Sequence, residues 1–322
     1  MTDTTQAVFK ARRTTLAVPG SSTRMIEKSK GLNSDAVFLD LEDAVSPLVK
    51  EQARLNIIAG LNEGGYDNRL RSVRINAVST QWALDDVNTV VRGAGHNIDA
   101  IILPKTGTVA DVQWLSGRLD ELEKEIGLEA GSIGIEVQIE DALGLVNVDA
   151  IAASNSRIET LIFGPADFMA SINMRTLIVG QQPVGYTEGD AYHYILMRLL
   201  IAGRAFGKQV IDGPYLQIKD LEGLAKVSHR SAALGFDGKW ALHPDQIDTI
   251  NDIFSPSQDD YDHSELILDA YDFHTSAAGG ARGAVMLGSE MIDEASRKMA
   301  LVISAKGRAA GLVRTKSFDP EA

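Results

Sequence analysis

The fold predicted from the sequence is a closed (β/α)₈ TIM barrel followed by a C-terminal helical segment, and three observations carry that reading. Short runs rich in Val, Ile and Leu alternate with longer helical stretches up to about residue 243, as expected for βα units around a parallel sheet. The runs number eight, the arithmetic of a closed barrel. Several are continuously apolar, as strands covered on both faces should be.

The eight predicted strands are 14–18, 36–40, 72–76, 100–104, 133–137, 160–164, 209–212 and 239–243. Between them the helix signals are readable. After the first strand, PGSST ends a loop in which Ser22 or Thr23 can cap a helix running to Lys30. Residues 108–127 place Val109, Val112, Leu115, Leu119, Leu122 and Ile126 on one face and stop at Gly127. Residues 190–206 form a strongly apolar helix, preceded by a polar, Gly-containing loop at 181–189 suited to a mobile cover. Beyond Ser255-Pro256-Ser257 the pattern changes. An acidic helix at 259–272, a small-residue stretch at 277–283 and a helix over 289–310 have no place in eight βα units. The chain therefore divides into a barrel domain, 1–255, and a segment, 256–322, suited to a lid or a subunit contact.

Of the 322 residues, 44% are hydrophobic and 23% charged, enough for a large core and incompatible with a disordered chain. The net charge of −13 argues against nucleic acid or a membrane surface as the main partner. One local exception stands out. Lys10, Arg12, Arg13, Arg24, Lys28 and Lys30 crowd the first thirty residues, a basic cluster suited to a small polyanion. The absence of cysteine removes disulfides, thiolate metal sites and a cysteine nucleophile. The N-terminal segment lacks the apolar core of a signal peptide, and no apolar run approaches a membrane span, so the expected location is cytoplasmic.

In such a barrel catalysis takes place at the C-terminal ends of the strands. Seven of the eight predicted strands are followed there by charged or titratable residues: Asp40, Glu42 and Asp43; Arg74 with Asn76; Lys105; Glu140; Asp167; Asp212; and His243. Glu140 and Asp167, each closing an apolar strand, are acceptor-only groups suited to Mg²⁺, with Mn²⁺ as a substitute ion. Glu42 and Asp43 can supply contacts to the metal through water. Arg74 offers a planar fork of donors for a carboxylate or a developing oxyanion. His243, just before Pro244, reads as a structural histidine. Two carboxylates and an arginine without a nucleophile point to metal-assisted stabilisation of an oxyanion. Arg24, Lys28 and Lys30, on the helix after the first strand, are placed to receive a phosphorylated carrier arm at the same rim. Arg24 and Lys28 are one helical turn apart.

The ordered blocks TTLAVPGSSTRMIEKS, VFLDLEDAVSPLVKEQAR, VRIN, IILPK, IEDALGL, FGPADFMAS, IDGPY and GKWALHPDQI make the chain resemble the citrate lyase β-subunit-like family of acyl-CoA lyases. Within it the chain is most similar to the malyl-CoA and β-methylmalyl-CoA lyases, over residues 12–297. The resemblance implies a Mg²⁺-dependent, reversible Claisen-type lyase cleaving L-malyl-CoA or β-methylmalyl-CoA to glyoxylate and acetyl-CoA or propionyl-CoA. It implies that Glu140 and Asp167 hold the metal, that Arg74 contacts the reacting oxygen and that Lys28 and Arg24 meet the phosphates of coenzyme A. It also implies a homo-oligomer, trimer or hexamer, in which Asp293 in SEMIDEA is carried by a C-terminal lid to a neighbouring subunit's site as general acid/base. The residues after PGS depart from the malyl-CoA lyase pattern, in which an arginine falls nearer the glycine. Readings left open are a malyl-CoA thioesterase or citramalyl-CoA lyase on the same scaffold, a class II aldolase, and a non-catalytic subunit with a carrier protein as partner.

Overall fold

The computed structural model describes residues 10–320; the N-terminal stretch read above for targeting lies largely outside them. Eight parallel strands close in sequence order into a barrel, the first pairing with the eighth. They are β1 (Thr14–Pro19), β2 (Ala36–Asp40), β3 (Leu70–Arg74), β4 (Ala100–Leu103), β5 (Gly134–Ile139), β6 (Ile158–Phe163), β7 (Gln209–Asp212) and β8 (Gly238–Ala241). The first helices are α1 (Thr23–Lys30), α2 (Lys50–Glu63), α3 (Ala83–Ala94), α4 (Val109–Ile126), α5 (Ala142–Val146) and α6 (Val148–Ala153). There follow α7 (Pro165–Ser171), α8 (His193–Ala205), α9 (Leu221–Leu234) and α10 (Ile247–Phe254).

Local grammar fixes the helix ends. Ser22, rather than Thr23, caps α1 by accepting from the Met25 amide. Helix α4 opens on a capping box between Thr108 and Asp111 and ends at Gly127 in the left-handed conformation, where a side chain would be strained. Residues 181–189 form an irregular loop, as expected.

Alternation along the strands sorts the core into two parts. One set of side chains, including Val37, Leu39, Val73, Ile101, Ile135, Val137, Ile139 and Leu161, packs with the surrounding helices. The other, Phe38, Ile102, Ile162, Ile211 and Trp240, forms a separate cluster that fills the barrel. Near the N-terminal end the interior turns polar. Arg12 donates to Glu136 at 3.0 Å and also pairs with Glu159 and Gln209, while Ser72 donates to Glu136 at 3.2 Å. Arg12, and Arg13 on Asp35, precede β1 and so sit at the end opposite the strands' C-terminal rim. Their expected part in a polyanion pocket is thereby corrected: half-buried or buried acids neutralise them.

Residues 255–320 belong to a second compact unit, with residues 12–254 forming the first. It contains α11 (Gln258–Thr275), a hairpin of β9 (Ala284–Leu287) and β10 (Glu290–Asp293), and α12 (Glu294–Ala309), around a small core of Ile267, Ala270, Val285, Ile292 and Ala300. The helix expected over 289–310 thus begins five residues later. Gly288, at φ 60°, and Ser289 make a two-residue hairpin turn. On either side buried Val285 and Ile292 alternate with exposed Met286 and Met291, a strand period. No helix of the described residues is long and apolar enough to cross a membrane.

Candidate active site

Parity decides which side chains reach the mouth of the barrel. Along β5 the inward positions Glu136, Gln138 and, just past the strand, Glu140 are polar, while the intervening Ile135, Val137 and Ile139 face the helices. On β2 the inward pair is Phe38 and Asp40, and on β3 it is Ser72 and Arg74. The rim is therefore an inward-facing polar layer resting on the apolar plug of Phe38 and Trp240, whose rings lie 4.3 Å apart.

Asp40 and Arg74 are register partners on adjacent strands. Arg74 donates from Nε and one Nη to the two oxygens of Asp40, both at 2.7 Å, and its other Nη lies 2.9 Å from Glu42. Its guanidinium stacks over Phe38 and Trp240 at 5.5 and 5.4 Å from the ring centroids. Burial by itself would push the Asp40 carboxyl up. The charge and hydrogen bonds of Arg74, with the amides of Glu42 and Ala44, more than offset this and hold it below the usual carboxylate range. Arg74 thus meets the mouth already fixed by two acids, with further N–H donors in its set of five.

Glu140 is buried, accepting from the backbone N–H of Lys105 at 2.6 Å and from Gln138 Nε2 at 2.6 Å. Burial first, then the negative charge of Glu42 and of Asp167, pushes its carboxyl up to about 8, against the opposing pull of the Lys105 amide and of Arg74. Glu42 is likewise pushed up by burial, offset in part by Arg74 and Lys105. Gly164 makes the close approach of β6 to this group: a Cβ there would stand 2.3 Å from the Glu140 Cβ and 2.5 Å from its Oε2.

Asp167 does not end the sixth strand as expected. It occupies the first turn of α7, whose N-terminus is set by Gly164 and Pro165, and it reaches Glu140 electrostatically from there. Asp43 is exposed and lies 3.6 Å from the Lys105 ammonium, which also contacts Glu42. Asp212 does not reach the mouth. Its inward neighbour Ile211 belongs to the barrel plug, and Asp212 itself bonds Lys239 at 2.7 Å and Ser231 of α9, between sheet and helices. His243 follows β8 and accepts the Asp245 amide at 3.2 Å, capping a single 3₁₀ turn, the structural role expected of it.

Arg24 and Lys28 are exposed on α1. Lys30 is not available in the same way, because Glu27 on its own helix and Glu63 on α2 both approach its ammonium at 2.7 Å. Asp293 is the N-cap of α12 rather than a residue within a helix. Its carboxylate accepts the amides of Ala295 and Ser296 at 2.9 and 3.0 Å, and those bonds, Ser296 first, hold its carboxyl below the ordinary range.

Sequence reasoning did not single out Gln138 or Trp240, nor the part Asp40 plays as the Arg74 anchor. The alternation IEVQIE was the available signal for Gln138. Gln138 Oε1 and Trp240 Nε1 are buried without a hydrogen bond, in residues that lie against Glu140 and Arg74 respectively. Such atoms suit a polar ligand. Among the described residues no group of three or more His, Cys, Asp or Glu is placed to hold a metal unaided. A hard divalent ion that takes one or two carboxylates and fills its shell with water and substrate oxygens fits Glu140 and Asp167, whose mutual repulsion a cation would relieve.

The model of the family described as HpcH/HpaI aldolase/citrate lyase matches residues 13–244. An L-malyl-CoA/beta-methylmalyl-CoA lyase from Cereibacter sphaeroides is 35% identical over 302 residues, covering 91% of this chain and 94% of that protein. The citrate lyase subunit beta of Escherichia coli is 32% identical, over 89% and 90% of the two chains. Among solved structures, CitE from Mycobacterium tuberculosis in complex with magnesium, acetoacetate and coenzyme A superposes with a TM-score of 0.69 at 25% identity, covering 94% of this chain and 98% of that one. A citrate lyase from Burkholderia xenovorans shares the fold, with a TM-score of 0.79 at 21% identity over 97% and 96%.

Proposed function

From the premise that the chain belongs to the HpcH/HpaI aldolase/citrate lyase family and is a lyase acting on CoA thioesters, we propose that it reversibly cleaves L-malyl-CoA to glyoxylate and acetyl-CoA. β-Methylmalyl-CoA, giving glyoxylate and propionyl-CoA, is the second substrate. The observation that carries this reading is the buried acidic set of Asp40, Glu42 and Glu140 around the fixed guanidinium of Arg74, with Asp167 in electrostatic reach. That arrangement calls for a cation and presents donors to an oxyanion.

Glu140 and Asp167 would hold Mg²⁺, which when bound supplies Lewis acidity and a template for the oxygens of the malyl or glyoxylate moiety. Arg74, oriented by Asp40 and packed on Phe38 and Trp240, stabilises negative charge on the oxygen that becomes the glyoxylate carbonyl as the carbon–carbon bond breaks. Arg24 and Lys28 bind the coenzyme A phosphates, and Lys30, committed to Glu27 and Glu63, is left out of that role. Asp293, held ionised by the α12 amides that it caps, takes the proton from the acetyl-CoA α-carbon in the condensing direction and returns it in the cleaving direction. Acting on a neighbouring subunit, it makes the protein an obligate homo-oligomer for catalysis.

The test is product identification. Purified protein with Mg²⁺ is given malyl-CoA, β-methylmalyl-CoA and citramalyl-CoA in turn. Glyoxylate with acetyl-CoA or propionyl-CoA is expected. Free malate and coenzyme A would make the protein a thioesterase, pyruvate a citramalyl-CoA lyase. Turnover only with an added carrier protein would favour the reading as a citrate lyase β-type subunit, to which the similarity with the Escherichia coli protein lends support.

A further inference from the structure

Lys105 is a non-glycine residue in the left-handed region, at φ 48°, in the loop after β4. A side chain held there is strained, and such strain persists only where its surroundings enforce it. The backbone on its C-terminal side is pinned: the Thr106 amide donates to Gln138 O at 3.2 Å and its hydroxyl to Leu103 O at 2.9 Å. In this conformation Lys105 turns both of its donors on the acidic set. Its amide goes to Glu140 at 2.6 Å, while its ammonium contacts Glu42 and lies 3.6 Å from Asp43.

The two cations at the mouth differ in kind. Arg74 is 9% exposed in its side chain and locked on two acids and two rings, whereas the Lys105 side chain is 36% exposed. A lysine ammonium is a compact point charge on a flexible stem, able to leave for solvent without disturbing the backbone that carries it.

Resting on the proposal that Glu140 and Asp167 hold a divalent ion, we infer that Lys105 is the resident counter-cation of this site. Its ammonium gathers Glu42 and Asp43 when the ion is absent and gives up that place when the ion arrives. Metal loading is then an exchange of cations, and Lys105 acts as a positioning residue through Glu42 and through its amide on Glu140.

The experiment is calorimetric titration of Mg²⁺ into metal-stripped wild type, Lys105→Gly, Lys105→Gln and Glu140→Gln, with thermal melts of each in the presence and absence of Mg²⁺. Lys105→Gly keeps the left-handed backbone and the amide bond to Glu140 while removing the ammonium. Both Lys105 variants should bind Mg²⁺ more tightly, on the order of tenfold, since a competing positive charge a few ångströms away has gone. Their melting temperatures should drop without Mg²⁺ and return to the wild-type value with it. Affinity unchanged or weakened in both variants, with melting lowered equally in both conditions, would make Lys105 an ordinary structural ion pair and overturn the inference. Wild type and Glu140→Gln binding Mg²⁺ alike would instead overturn the metal site on which it stands.

Discussion

Asp40 and Arg74 face one another across adjacent strands, joined by two hydrogen bonds of 2.7 Å in a buried setting. The pairing fixes the plane of the guanidinium, so in the proposed cleavage the developing charge would meet donors that need no reorganisation. Arg74→Lys keeps the charge but loses the fork. A fall in kcat/KM of about 10²- to 10³-fold is expected from steady-state kinetics, by comparison with loss of one oxyanion donor. Arg74→Met should also lower stability by about 3–5 kcal/mol in denaturant titration, because Asp40 is left buried without its counter-charge. Kinetics of Arg74→Lys within twofold of wild type would remove Arg74 from the chemistry.

Gly164 sets how closely β6 approaches Glu140. Any Cβ there would meet Glu140 at 2.3 Å, so Gly164→Ala must displace the carboxylate or the strand. Overpacking of this kind costs about 1–3 kcal/mol. Activity should fall with it, and Mg²⁺ affinity should weaken in the same variant. A fully active Gly164→Ala protein would show that Glu140 is free to move.

The carboxyl of Glu140 titrates near 8 in the folded protein and near 4.5 in the unfolded chain. The folded state thus holds this proton more tightly. Its contribution to stability is complete below about pH 4.5 and is lost as pH rises towards 8. Metal-free protein should accordingly lose stability between about pH 5 and pH 8 through this group, and Mg²⁺, which takes the proton's place, should bind more tightly over the same interval. Denaturant titrations of wild type against Glu140→Gln isolate the effect: the pH slope should shrink in the variant. Identical slopes would place the titration elsewhere.

Asp293 combines a structural and a proposed chemical role, and asparagine separates them. Asn caps a helix about as well as Asp, so Asp293→Asn should keep the melting temperature near that of wild type. Loss of the general acid/base should cost about 10²- to 10⁴-fold in kcat. Exchange of solvent deuterium into acetyl-CoA should fall in parallel. Full lyase activity in this variant would assign the proton to another group.

Much of this was legible in the residues, and the reasons differ from element to element. The barrel could be read because apolar strands recur between capped helices, and the limits of β2 and β7 agree with the periodicity to the residue. The polar rim was legible as composition but not as direction. Asp212 follows its apolar run just as Glu140 does, yet parity turns it towards α9, and parity depends on which neighbour fills the barrel. Lys30 differs from Lys28 in the acids its ammonium meets, Glu27 on its own helix and Glu63 on α2, and the second of these is a tertiary fact. The hairpin before α12 is the one element whose signal was present and misread, since Gly288-Ser289 between alternating residues is turn grammar. Trp240 and Gln138 carried no charge to draw notice, although each buries a polar atom without a hydrogen-bond partner.

In the proposed reaction a carbon–carbon bond of L-malyl-CoA breaks with a divalent ion on Glu140 and Asp167. Its most direct test follows glyoxylate and acetyl-CoA together from malyl-CoA, with Mg²⁺ and after chelation, in wild type and Glu140→Gln. Equal molar amounts of the two products are expected from wild type with Mg²⁺, and loss of both on chelation and in the variant. Free coenzyme A appearing without glyoxylate, or turnover that survives chelation, would contradict it.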